Sequence, residues 1–113
     1  MYPVLLPGER ALFDRLAFVR DRPQRGDIVL AVHHARPGLR MVKRIAATPG
    51  DLVEDGGEPR LLARGEYWLL GDNAAESTDS RALGPFHRRQ LLARGWLVYW
   101  PAERYRRLDS ALP

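Results

Sequence analysis

Turn-forming residues punctuate this chain at short intervals: Pro7-Gly8, Arg25-Gly26-Asp27, Pro37-Gly38, Pro49-Gly50-Asp51, Asp55-Gly56-Gly57, Gly71-Asp72-Asn73, Gly84-Pro85 and Gly95. Between them lie short β-rich runs, which predict strands at Ala11–Phe13, Ile28–His33, Leu39–Ala46, Leu52–Glu54, Tyr67–Leu70 and Trp96–Trp100. Pro7, Pro23, Pro37, Pro49, Pro59, Pro85 and Pro101 all fall outside these runs, as strand interiors require. One short helix fits Arg88–Ala93, and Asp14–Val19 reads as a turn or a further strand. Many short strands with at most one short helix predict a mainly β fold, a small antiparallel domain closed or coiled into a barrel-like sheet.

The 113 residues suit one domain: a core over 1–101 followed by a basic tail over 102–113. There is no cysteine, which excludes disulfides and thiolate metal sites and fits a reducing compartment. The net charge is +4. The tail residues Arg104, Tyr105, Arg106 and Arg107 are a weak nucleic-acid signal and read better as a solvated or acidic-lipid-facing segment, so no nucleic-acid partner is expected. No apolar stretch nears the ~18 residues that span a bilayer, and Pro3, Pro7, Gly8, Glu9 and Arg10 interrupt any signal-peptide core. The chain as given therefore reads as cytoplasmic. His33 and His34 are adjacent, point to opposite strand faces and cannot chelate together; with His87 they read as surface or packing residues. No metal or other cofactor is expected. Trp68, Trp96 and Trp100 read as core or cleft-edge residues, with Trp96, Val98 and Trp100 on one strand face.

Seventeen of the eighteen Lys and Arg residues are arginine; the exception is Lys43. Strand alternation puts Leu39, Met41, Lys43 and Ile45 on one face and Arg40, Val42, Arg44 and Ala46 on the other. The lone lysine thus lies on the apolar face. Arginine stays protonated in proteins, whereas a desolvated lysine can lose its proton and act as a general base. A lysine at a sheet edge, snorkelling its ammonium to water, fits the same pattern. A base would need a nucleophile, and the three serines are Ser77, Ser80 and Ser110. The first two lie in "GDNAAESTDSR" (71–81), whose Asp, Asn, Ser and Thr content also suits a structural turn.

Three stretches occur in order: "RGDIVLA" (25–31), "MVKRIAATPGD" (41–51) and "WLLGDNAAESTDSRALGP" (68–85). Together they resemble the motif series of the type I signal peptidases, serine endopeptidases with a Ser/Lys dyad. "MYPVLLPGERALFDRLA" (1–17) is similar to the segment that follows the family's nucleophile. The resemblance runs from Met1 to about Pro101. It implies that Lys43 is the general base and that the Ser77 hydroxyl orients it. It further implies that Asp79 and Arg81 brace the loop, that Gly71, Asp72 and Asn73 form the turn entering it, and that Arg44 follows the base. Met1, Tyr2 and Pro3 would flank the substrate cleft. The implied partner is a peptide or precursor protein cleaved at a leader or signal peptide, and the implied fold is shared with self-cleaving repressor domains.

The resemblance puts the nucleophilic serine immediately before Met1, outside this sequence, and Val4 and Glu9 replace the usual threonine and aspartate. Either the true start lies upstream, or this is a nucleophile-free relative that binds peptides as a β-domain. Ser77 as nucleophile is a third option. As given, the chain would be inactive, and any membrane anchor would lie upstream, making the protein membrane-associated. Few residues separate Asp51 from Tyr67, so the core is minimal. The close "LLARGWLVYWP" (91–101) and the compact "RPGLRMVKR" (36–44) are similar to the small maturation proteases of nickel-type superoxide dismutase.

Overall fold

Residues that alternate between buried and open positions form the strands of this computed structural model, which describes residues 10–71, 78–100 and 106–108. The strands are β1 (Arg10–Asp14), β2 (Ile28–Ala31), β3 (Met41–Ala47), β4 (Leu52–Asp55), β5 (Glu58–Leu61), β6 (Glu66–Leu70), β7 (Phe86–His87), β8 (Leu91–Trp100) and β9 (Arg106–Arg107). Two one-turn helices interrupt them, α1 (Ala17–Arg20) and α2 (Ser80–Leu83). The architecture is mainly β, as expected.

The helix expected at Arg88–Ala93 is not there. Only Arg88–Gln90 wind, into a 3-10 turn in which the His87 and Gln90 side chains and backbones cap each other. From Leu91 the chain is strand, because Leu91 and Ala93 are buried while Leu92 and Arg94 are not, a period of two that helical propensity cannot override. Strand β5 was also missed, because it contains Pro59. It pairs with β4 in a two-stranded hairpin, Pro59 facing Glu54, where a residue without an N–H is tolerated. Arg106 and Arg107, read as part of a loose tail, pair with Val98 and Leu97.

The main sheet runs β1-β8-β2-β3-β6-β7, with β9 added to β8 and all pairings antiparallel. Strand β8 is the spine, bonding to β1 along one edge and to β2 and β9 along the other. Its register with β1 slips between Leu12 and Phe13, leaving Trp96 as the residue between the partners Leu97 and Gly95. This bulge undoes the expected common face: Val98 is buried, whereas Trp96 is half exposed. One apolar cluster gathers Ala17, Phe18, Val29, Ala31, Met41, Ile45, Tyr67, Leu69, Phe86 and Leu91. A smaller one, Ala47, Leu62 and Trp68, lies toward the β4–β5 hairpin.

Candidate active site

Lys43 sits in the middle of β3, between Met41 and Ile45, both buried in the main core. Its cross-strand partner on β2 is Val29, which is fully buried. Partners in an antiparallel ladder share a face, so the lone lysine projects from the apolar face, as alternation predicts. Leu39, expected on the same face, lies before β3 and is exposed. Lys43 itself is half-buried. Burial pushes its amine below the ordinary lysine value; the Asp79 carboxylate opposes that push and the Arg81 guanidinium adds to it. Asp79 and Arg81 are thus two charged side chains that act on the amine.

Asp79 reaches this position because β6 runs beside β3, with Leu70 opposite Arg44 and Leu69 opposite Ile45. The Gly71 N–H, just beyond β6, donates to Asp79 Oδ2 at 3.0 Å. The Leu69 N–H donates to Ser80 Oγ at 2.9 Å, so two consecutive side chains tie the start of α2 to the end of β6. Asp79 also caps α2, accepting from the Arg81 N–H at 3.1 Å. The Arg81 guanidinium adds Nε at 2.9 Å and Nη2 at 2.6 Å, a fork-shaped ion pair. Asp79 is only 1% exposed. Burial alone would push its carboxyl up, but the Arg81 side chain and the Gly71 and Arg81 amides hold it below the usual carboxylate range. A fixed negative charge therefore stands beside a destabilised positive one.

The structure thus brings Lys43, Gly71, Asp79 and Arg81 together. Arg44 is not among them: it lies on the opposite face, and its Nη1 donates to the Gly26 carbonyl at 3.0 Å, tying β3 to the turn before β2. Met1, Tyr2, Pro3, Asp72, Asn73 and Ser77 lie outside the described residues. Ser80 is the contribution that sequence reasoning missed. Its full burial and its bond to a strand amide give it a structural task, and only the density of polar side chains in residues 71–81 hinted at it.

A separate cleft opens between β1, β8 and β9, lined in part by Phe13, Asp27, Arg94, Gly95, Trp96 and Leu108, and it includes neither Lys43 nor Asp79. Among the described residues no group of three His, Asp or Glu is placed to hold a metal ion, and no helix is long and apolar enough to cross a membrane.

The family described as "Signal peptidase, peptidase S26" matches residues 1–61 and 55–100. Mitochondrial inner membrane protease subunit 2 of Mus musculus is 40% identical over 93 residues, covering 80% of this chain and 53% of that protein. Mitochondrial inner membrane protease subunit 1 of Xenopus tropicalis is 36% identical over 111 residues, covering 93% of this chain and 66% of that protein. A crystal structure of a signal peptidase I from Enterococcus faecalis V583 superposes with a TM-score of 0.55 at 21% identity, covering 66% of this chain and 97% of that chain, a likeness of fold. The chain spans about half to two thirds of the length of these curated relatives. With the family matched along almost all of its length, this chain belongs to the S26 signal peptidases.

Proposed function

We propose that this chain is the lysine-bearing core of a serine-type endopeptidase that removes a leader or signal peptide by a Ser/Lys dyad. The observation that carries the proposal is the placement of the only lysine on the apolar face of β3, desolvated and beside a braced Asp79–Arg81 pair. In this reading neutral Lys43 takes the proton from a serine hydroxyl as its oxygen attacks the scissile carbonyl. The Ser77 hydroxyl orients the Lys43 amine. Backbone N–H groups at the nucleophile hold the oxyanion, each worth roughly 3 kcal/mol. The protonated lysine then gives its proton to the leaving amine and, neutral again, activates water against the acyl-enzyme.

In this reading, as the family resemblance implies, the nucleophile is the serine of a Gly-x-Ser segment directly ahead of Met1. The motif likeness at 36–44 and 91–101 supports the leader of a nickel-type superoxide dismutase precursor as substrate. The inner-membrane proteases among the relatives support a membrane-associated setting. The test is to extend the chain by Gly-x-Ser and assay cleavage of leader peptides. Lysine-dependent turnover, abolished by Lys43→Ala, is the expected result. Peptide binding with no cleavage would instead assign a nucleophile-free binding domain, and equal cleavage by Lys43→Ala would remove the dyad.

A further inference from the structure

His33 follows β2 by two residues and is 1% exposed, yet it takes no part in the chemistry above. Both ring nitrogens are committed to the backbone. The Ala35 N–H donates to Nδ1 at 3.1 Å, so Nδ1 carries no proton. Nε2 lies 3.2 Å from the Pro85 carbonyl and therefore holds the ring proton and donates it. The ring is clamped on both sides, stacked on His34 at 4.3 Å and edge-on to Phe86 at 4.8 Å.

Pro85 is the residue after Gly84, the C-cap of α2. Helix α2 is thus held at its two ends by different means. Asp79 and Ser80 pin its start to β6, and His33 pins the carbonyl just beyond its end. Gly84, with φ 80° and ψ −173°, makes the abrupt change of direction that brings Pro85 to the ring.

We propose that His33 is a positioning residue for the loop that presents Asp79 to Lys43, and that its protonation unlatches that loop. The inference rests on the protease reading only for the consequence at Lys43. A proton added at Nδ1 would place two donors face to face, N–H against the Ala35 N–H, and bury a charge. The ionisable groups that act on this ring are His34 on its own segment and His87 on β7, and both oppose a further positive charge. Burial first, and these two neighbours with it, hold His33 below the ordinary histidine value; its bond to Pro85 opposes them. The unfolded chain therefore takes up the proton first as pH falls. The stabilisation is complete above about pH 6.5 and is lost as pH drops below it.

Two isosteric halves of the ring separate the bonds. Asn at position 33 keeps an acceptor for the Ala35 N–H, in the manner of an Asx turn, but is too short for Pro85. Gln reaches Pro85 with a donor that does not titrate. Because Lys43 is the only lysine, reductive methylation with 13C gives a single lysine resonance whose titration is read directly. In the full chain His33→Asn should shift the Lys43 titration below that of the wild type, as loss of Asp79 does, and His33→Gln should keep it where the wild type has it. In urea, the wild-type unfolding constant should rise several-fold between pH 7.5 and 5 relative to His33→Gln at the same pH. Asn and Gln variants that both titrate like the wild type, or urea curves that fall in parallel, would overturn the latch. An ordinary wild-type Lys43 titration would instead sink the protease reading, leaving the urea comparison to decide His33.

Discussion

Two carboxylates in this fold are equally hidden from water, yet their affinities for a proton shift in opposite directions. Asp79 is 1% exposed and Asp27 is 2% exposed. Asp79 accepts from the Gly71 N–H and from three N–H groups of Arg81, and it is held below the usual carboxylate range. Asp27 accepts, among the described residues, from the Gln24 N–H, and its carboxyl is pushed up. Burial drives that rise; the Gln24 amide and Arg94 resist it, and Asp21 assists it. Equal burial therefore does not by itself fix the direction of the shift. The number of donors, and whether one is a guanidinium, does. Asp79 is built to stay ionised beside Lys43. Asp27 is built as a turn staple between β2 and the preceding segment, with its own carbonyl accepting from the Ile45 N–H.

Substitutions sharpen this contrast. Asp79→Asn removes the charge that four N–H groups address, and should lower stability by about 2 kcal/mol, measured by urea unfolding. It should also drive the Lys43 titration further down, because Asp79 is what favours the charged amine. A rise in that titration would mean that the two groups do not communicate. Gly84→Ala should cost about 1.5 kcal/mol, since its backbone lies where side chains are strained, and should disturb the Asp79 side alone.

Asp27→Asn should run the other way. A carboxyl whose folded value is raised gives stability that is present below the unfolded value of 3.8 and is lost as pH climbs through the folded value. The Asn variant should therefore gain under about 1 kcal/mol above neutral pH, and should lack that fall in urea midpoint against pH. Asp79, being depressed, gives stability that is present above 3.8 and lost as pH falls through its folded value. The two variants should therefore tilt the acid limb in opposite senses, and tilts of the same sign would break the comparison. The smallest effect is expected at Asp14→Asn, which removes the exposed Arg20–Asp14 pair and should leave the midpoint unchanged in moderate salt.

Much of this was legible in the sequence, and for a physical reason. Alternation along 39–46 needs no tertiary knowledge, so the apolar face of Lys43 could be read from Met41 and Ile45 alone. The turn signals placed the strand gaps for the same local reason. What escaped was whatever depends on neighbours far along the chain. Arg88–Ala93 looks helical until β2 is laid beside its second half. Pro59 looks like a loop residue until its hairpin proves to be two-stranded. His33 carries no signal that its two nitrogens will find Ala35 and Pro85, because the second bond spans 52 positions.

The order of pairing has a consequence for synthesis. Arg10 meets Trp100 across the β1–β8 ladder, and Val29, the neighbour of Lys43, meets Arg94. On the ribosome β1 must wait for its partner until residue 100 has emerged. Such long-separation ladders fold slowly. The Lys43 amine is therefore open to water until β8 takes its place beside β2, and acquires its desolvated surroundings only then.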